Sequence, residues 1–191
     1  DFTLNGKLDS DKFILKLIRS LRQAGASARI KERDMYQNQQ NIRMELRGPL
    51  FDGNPKNANV ISINISLREK PIYKPKDERI YPKYRDIPSF NINCMVVEEM
   101  LAEKIRALFT RDKARDLYDL WFLLGKGIKA EIEDINRKLK ICEGRFDMGR
   151  LLERIENKRK SWEMDLKGLI KGNLPEFGIV KKEVIERLKE M

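Results

Sequence analysis

Charged residues occur among leucines and aromatic residues in the segment LAEKIRALFTRDKARDLYDLW, residues 101 to 121. Leu101, Lys104, Ile105 and Leu108 follow the i, i+3, i+4, i+7 spacing of one helix face, so Lys104 lies on the apolar face. Burying an ammonium group without a partner is costly, whereas its flexible stem can carry the charge to the edge of a cleft. Lys104 is therefore either an ion-paired or snorkelling lysine, or a group that binds an anion.

Arg111 lies seven residues after Lys104 and would share its helix face, about 10 Å further along, if the helix continues. Two cations along one groove suit phosphate oxygens, because arginine offers a planar fork and lysine a point charge. Thr110 or Asp112 would break this alignment if either caps a new helix. The pattern thus raises the hypothesis of a phosphate-binding pair.

A second apolar stripe follows and is made of Leu117, Leu120, Trp121 and Leu124. Asp116 flanks this stripe and Asp119 faces further outward. Asp112 and Asp116 would repel each other at i, i+4, so we expect a cation nearby, whether Arg115, Lys104 or a metal. Arg115 and Asp119 also have i, i+4 spacing, for which the ordinary interpretation is a surface ion pair.

The composition restricts the available chemistry. With 40 Lys and Arg against 30 Asp and Glu, the net charge of +10 favours a polyanionic partner such as nucleic acid or a nucleotide, although it also serves solubility alone. Histidine is absent from the sequence, which excludes Ser/His, Cys/His and His-metal sites. Carboxylates, lysine and bound metal remain as catalytic groups.

The chain has 191 residues, 41% of them hydrophobic and 37% charged, as expected of a soluble globular protein. No apolar run approaches the roughly 18 residues of a membrane-spanning helix, so we expect no membrane association. The N-terminus lacks the pattern of a signal peptide, and Cys94 and Cys142 are the only cysteines. These features together predict a cytoplasmic protein.

Hydrophobic periodicity predicts an α+β fold. It indicates a helix over 9–25, a hairpin of two strands on either side of Asn38 to Asn41, and a strand over 60–69 with one buried face. A long connection over 70–90 with a short edge strand near Ile80 leads to a strand at 90–97. Beyond it only helices are predicted, at 97–110, 112–125, 130–142, 147–170 and 178–190. We therefore divide the chain into a mixed part, 1–97, and a helical part, 98–191.

The segment from Glu98 to Leu120 resembles the most recognisable region of the AbiEii/AbiGii-type nucleotidyltransferases, toxin components of type IV toxin–antitoxin and phage-defence systems. Residues 1–4 resemble the end of the strand that carries the metal ligands in this family, and Trp162 with residues 165–177 resembles its C-terminal helical region. The resemblance covers the chain from Asp1 to about Phe177. It implies a DNA polymerase β-like nucleotidyltransferase fold, with a palm-like mixed or antiparallel sheet followed by helices.

Under this resemblance, Asp1 matches the second carboxylate of an Asp-X-Asp pair that binds Mg²⁺ or Mn²⁺. The first aspartate and the glycine-rich turn before it are not in the sequence, and because the chain begins with Asp1 instead of Met, we expect them upstream. Asn64 stands at the position of the third family carboxylate, where it would be a weaker metal ligand and no general base. Glu45 is an alternative, although its ordinary interpretation is a solvent-facing strand residue.

The resemblance also implies catalytic roles for Lys104 and Asp116, with Lys104, Arg111 and Arg115 binding the phosphates. The implied activity is metal-dependent transfer of a nucleotidyl group from an NTP to an acceptor, for which RNA such as a tRNA end is the candidate. The implied partners are a cognate antitoxin or DNA-level repressor. The alternative is a nucleotide- or RNA-binding protein of the same fold with impaired catalysis, as Asn64 suggests.

Overall fold

The computed structural model describes residues 2–3, 9–36, 38–67, 70–142 and 144–190, with only the backbone described at 2–3. The chain forms two compact units, Asp1–Pro71 and Ile72–Met191. The last described strand ends at Cys94 and the next helix begins at Val97. The strands after Pro71 nevertheless belong to the same compact unit as the helices that follow them.

The described residues of the first unit form a four-stranded sheet, one α-helix and a short 3₁₀ helix, Pro55–Asn57. Its elements are β1 (Phe2–Thr3), α1 (Ser10–Gln23), β2 (Ser27–Tyr36), β3 (Gln39–Arg47) and β4 (Asn59–Ser66). The strand order is β1-β4-β3-β2, in which β1 runs parallel to β4 and the other neighbours are antiparallel. The predicted hairpin and the strand after it are confirmed.

Alternation along β4 buries one face of this sheet. Ile63 and Ile65 are buried with Ile14 of α1 and with Ile42 and Met44 of β3, as a period of two requires. The amphipathic helix α1 is capped by Asp9, whose side chain accepts a hydrogen bond from the backbone N–H of Lys12 at 3.1 Å. The predicted burial is lost at the start of β4, where Ile61 of the apolar face is 45% exposed.

The second unit is a two-stranded hairpin and six helices. Its elements are β5 (Lys76–Ile80), β6 (Phe90–Cys94), α2 (Val97–Thr110), α3 (Ala114–Gly125), α4 (Ile132–Lys140), α5 (Met148–Asn157), α6 (Trp162–Leu166) and α7 (Phe177–Lys189). The helix predicted over 147–170 is interrupted by a 3₁₀ turn, Lys158–Ser161. This turn occurs where the chain buries a charged residue, Lys158, which is fully inaccessible.

The apolar stripes of these helices form one core. Fully buried members are Leu101, Ile105, Leu108, Leu117, Leu120, Ile135, Leu151, Ile155, Val180 and Val184. Trp162 anchors the C-terminal part of this core, with its ring centroid 5.7 Å from that of Phe177 and 6.4 Å from that of Tyr118. The predicted fold class, α+β with a sheet and helix followed by a helical C-terminal part, is confirmed. Within the described ranges no helix has both the length and the apolar character needed to cross a bilayer.

A buried ion pair joins three parts of the second unit. Lys138 of α4 lies 2.7 Å from Glu99 of α2, and both side chains are at most 1% exposed. Glu99 also accepts hydrogen bonds from the backbone N–H groups of Ile72 (2.9 Å) and Tyr73 (3.2 Å), so one carboxylate holds two helices and the segment that leads into the hairpin.

Removing one charge of this pair should destabilise the protein strongly. We expect Lys138→Met to lower the free energy of unfolding by about 3–5 kcal/mol, because it leaves the Glu99 carboxylate buried without its cation. Urea denaturation measures this, with Lys182→Met as the matched control, since the Lys182 side chain is 77% exposed. The double variant Glu99→Gln/Lys138→Met should recover much of the loss; equal losses in Lys138→Met and the control would contradict the assignment.

Stability should also depend on pH through Glu156. Hydrogen bonds from Arg159 and then from Lys181 lower the pKa of Glu156 from 4.5 to about 2. A carboxyl group whose pKa is depressed by folding contributes stability above its unfolded pKa and loses that contribution as the pH falls towards the folded pKa. The difference in melting temperature between the wild type and Glu156→Gln should therefore be largest above pH 5 and shrink between pH 4.5 and 2. A difference that stays constant over this range would contradict the pairing.

Candidate active site

Helices α2 and α3 are separated by a turn and do not form one continuous helix. Helix α2 ends at Thr110, whose hydroxyl donates to the carbonyl of Arg106 at 3.1 Å, and Arg111 has extended backbone angles of −145° and 156°. Lys104 and Arg111 therefore do not line one helical groove. The alignment is broken, but neither Thr110 nor Asp112 caps the next helix, because the N-cap of α3 is Lys113 and no side chain caps it. The Arg111 side chain is directed towards α3.

Arg111 forms a bidentate pair with Asp116. Its Nε and Nη2 atoms each donate to a different carboxylate oxygen at 2.7 Å. Asp116 is fully buried, while the Arg111 side chain keeps 49% of its surface exposed. The hydrogen bonds from Arg111 to Asp116 raise the pKa of Arg111 further above its ordinary value. Both oxygens of the buried carboxylate are thus satisfied by one guanidinium group, whose Nη1 edge faces away from the pair.

Lys104 is held by two aspartates of α3. Its Nζ atom donates to Asp119 at 2.5 Å and lies 3.8 Å from Oδ1 of Asp116, and its side chain is 30% exposed. The sequence interpretation of Asp119 was wrong: it pairs with Lys104 across the two helices and not with Arg115 along its own helix. Arg115 is exposed, and its side chain has no ion pair with any residue that the structure describes.

The α2–α3 turn is itself fixed by the C-terminal helices. The ammonium group of Lys158 donates to the carbonyl of Arg111 at 3.0 Å and pairs with Asp112, while Asp165 accepts a hydrogen bond from the backbone N–H of Ala114 at 3.0 Å. The bond from Lys158 also lowers the pKa of Asp112. Asp112 and Asp116 therefore avoid repulsion through separate cations, Lys158 and Arg111.

Lys158 was not predicted to be important. It lies at i+3 from Ile155 and i+7 from Leu151, both fully buried, so its position on an apolar face was the available signal. The same signal had singled out Lys104.

A pocket of about 210 Å³ opens between α2 and α3 beside Lys104. Its walls are formed by Met95, Met100, Glu103, Lys104, Asp119, Phe122 and Leu123. Four of these seven side chains are apolar, and the Lys104–Asp119 pair forms part of the polar wall. Glu103 is neutralised by Arg106 and lies 3.6 Å from Lys138, so its charge does not dominate the pocket.

The metal ligands implied by the resemblance belong to the first unit. Asn64 lies on β4 and is half-buried; it faces Asn41 in the register with β3 and directly precedes Ile65, the partner of Phe2. Asp1 lies outside the described residues. Within the ranges that are described, no cluster of three or more His, Cys, Asp or Glu side chains is placed to bind a metal ion.

Glu45 is not a solvent-facing strand residue. It is 5% exposed and accepts hydrogen bonds from Arg29, at 2.8 and 3.1 Å, and from Arg47 at 2.9 Å. These bonds, that of Arg29 first, lower the pKa of Glu45. Because its carboxylate already accepts hydrogen bonds from two arginines of β2 and β3, Glu45 stabilises the sheet and is a poor candidate for a metal ligand.

The chain is similar in structure to the nucleotidyltransferase toxin MenT4 from Mycobacterium tuberculosis H37Rv, with a TM-score of 0.59 and 17% sequence identity. The similarity covers 98% of this chain and 66% of that toxin, and at this level of identity it shows the fold. No curated protein sequence matches the chain.

The family model described as the nucleotidyl transferase AbiEii toxin of type IV toxin–antitoxin systems matches residues 1–183. Because that match spans nearly all of the 191 residues, the chain belongs to the AbiEii nucleotidyl transferase toxin family.

Proposed function

We propose that the protein transfers a nucleotidyl group from an NTP to an acceptor, as the toxin of a type IV toxin–antitoxin system. The observation that carries this proposal is the convergence of Lys104 and Arg111 on the buried carboxylate of Asp116. Both cations keep part of their surface accessible and are fixed in place before a ligand arrives. Preorganised cations of this kind stabilise the charge of phosphoryl groups without reorganising during the reaction.

In the proposed reaction, a hydroxyl oxygen of the acceptor attacks the α-phosphorus of the NTP. The bond from that phosphorus to the oxygen bridging to the β-phosphate breaks, pyrophosphate leaves, and the hydroxyl proton passes to solvent. Lys104 and the Nη1 edge of Arg111 would neutralise the charge that develops on the pyrophosphate, and the exposed Arg115 would add a third cation. Such a displacement needs little beyond positioning and charge neutralisation, which suits a sequence without histidine.

Asp116 would act through these cations. Its carboxylate is inaccessible and both of its oxygens are occupied by Arg111, so it is a positioning residue in this proposal. Asp119, which is 42% exposed, holds the other side of the Lys104 ammonium group.

A divalent metal, Mg²⁺ or Mn²⁺, is part of the proposal through the family alone. Asp1 and Asn64 would hold it, and it would supply charge neutralisation at the phosphates. The amide oxygen of Asn64 is a hard ligand but brings no negative charge, and the described residues do not complete a metal site.

The acceptor that we propose is RNA, with a tRNA end as the leading candidate. The net charge of +10 supports a polyanionic acceptor. A cognate antitoxin, acting on the protein or as a repressor of its gene, and a role in phage defence follow from the family and belong to the same proposal. We place the activity in the cytoplasm, where NTPs and tRNA are present.

A second candidate function is nucleotide or RNA binding without transfer. Asn64 favours it, because an uncharged side chain stands where the family resemblance implies a carboxylate.

Label transfer tests the proposed activity directly. The complete protein is incubated with Mg²⁺ or Mn²⁺, each labelled NTP in turn, and total tRNA. We expect Lys104→Ala to reduce transfer about 10²- to 10³-fold, because one preorganised cation is lost. We expect Asp116→Ala to reduce it comparably, because Arg111 loses its carboxylate partner and Lys104 loses one of its two aspartates.

Lys182→Ala is the matched control for the charge, since it removes an exposed lysine of α7, and its transfer should equal that of the wild type. Circular dichroism checks that Asp116→Ala remains folded, and Asp116→Asn, which keeps the side-chain shape, substitutes for it otherwise. Transfer that survives the changes at both positions would refute the mechanism. Binding of NTP without any transfer by the wild type would support the second candidate function instead.

Replacing Asp119 tests whether the orientation of Lys104 matters. Asp119→Asn keeps the size of the side chain but weakens the 2.5 Å pair with Lys104, so we expect transfer to fall about 10- to 100-fold. The melting temperature should change little, because the pair is partly exposed. Measuring kcat and KM separately with Asp119→Asn decides this, with Asp86→Asn as the control, since Asp86 is exposed and lies outside the pocket. Unchanged kinetics in Asp119→Asn would contradict the role.

A further inference from the structure

We propose that the pocket between α2 and α3 binds a nucleobase, stacked on the ring of Phe122. This inference rests on the proposed function, because it takes the ligand next to Lys104 to be a nucleotide. The base belongs either to the NTP or to the end of the acceptor, and the chemistry of the pocket is the same for both.

The size of the pocket selects a single ring system. Its volume of about 210 Å³ lies below the roughly 300–1,000 Å³ of sites that enclose whole drug-sized ligands. One planar base therefore enters, while a ribose and a charged phosphate chain stay outside. The apolar walls exclude the phosphates for a second reason, since a phosphate buried against them would lose its hydration without a partner.

The apolar part of the pocket lining suits the flat faces of a base. Met95, Met100, Phe122 and Leu123 supply polarizable and apolar contacts for the faces of the ring. Phe122 of α3 is 51% exposed, so its ring is accessible to a ligand, and the Lys126 ammonium group lies 5.3 Å from the ring centroid. A partly exposed phenyl ring next to a cation is the kind of platform on which bases stack in single-stranded nucleic-acid sites.

The polar wall positions the rest of the nucleotide. Lys104 lines the pocket and remains 30% exposed, so the phosphates of a nucleotide whose base is in the pocket would meet its ammonium group at the rim. Asp119 already accepts one N–H of that group, and two N–H donors remain for phosphate oxygens. The pocket and the cations thus bind different parts of one molecule.

Substitution of Phe122 separates recognition of the base from recognition of the phosphates. Titration calorimetry on the complete protein uses three probes: each NTP, inorganic tripolyphosphate, and a short single-stranded oligoribonucleotide with a 3′-hydroxyl end. We expect Phe122→Leu, which keeps an apolar side chain but removes the ring, to weaken binding of a base-containing probe about tenfold and to leave tripolyphosphate unchanged. Phe122→Tyr should retain the affinity, and Ile179→Ala is the control for loss of an exposed apolar side chain outside the pocket.

The pattern of losses identifies the source of the base. Weaker binding of NTP alone assigns the pocket to the NTP, and weaker binding of the oligoribonucleotide alone assigns it to the acceptor; both results support the proposal. Equal affinity of Phe122→Leu and the wild type for every base-containing probe would overturn it, as would an equal loss for tripolyphosphate. If the expected binding pattern is observed but no label is transferred, the proposed transferase activity is refuted and the assignment of the pocket stands.

Discussion

The buried carboxylate of Asp116 is the constraint on which the candidate site depends. A carboxylate that is removed from water destabilises the fold unless its charge and its lone pairs are satisfied. Arg111 satisfies both oxygens with two hydrogen bonds of 2.7 Å, and Lys104 lies 3.8 Å away. The extended backbone of Arg111 follows from this requirement, because a continued helix would carry its side chain away from Asp116. Packing and the placement of two accessible cations therefore have the same physical origin.

The turn that carries Arg111 is held by residues far along the chain. Lys158 donates to the carbonyl of Arg111, and Asp165 accepts from the first backbone N–H of α3, so the position of this turn depends on the packing of the 3₁₀ turn and α6 against it. This dependence joins the stability of the helical unit to the geometry of the site. It also explains why the charged residues of α2 and α3 are distributed among apolar ones: each buried charge has a defined partner on another element.

The sequence predicted much of this arrangement, because periodicity reports which face of an element is buried. The helices α2 and α3, the alternation of β4, and the unusual position of Lys104 were all accessible from spacing alone. The ion-pair partner of each charged residue could not be predicted from spacing, since it depends on tertiary distances. Asp119 has Arg115 at i−4 in sequence but Lys104 at 2.5 Å in space, and Glu45 reads as an exposed strand residue until Arg29 and Arg47 are seen to cover it. The end of α2 at Thr110 agrees with the helix predicted over 97–110, whereas the pairing of Arg111 with Asp116 depends on tertiary distances.

The most direct test of this account is a crystal structure of the complete protein with an NTP analogue in which a methylene group replaces the oxygen between the α- and β-phosphates. The account predicts phosphate oxygens within about 3 Å of the Lys104 ammonium group, with the Arg111–Asp116 pair retained as in the free protein. Phosphates bound away from Lys104, or a carboxylate of Asp116 that has left Arg111 and turned towards the ligand, would contradict it.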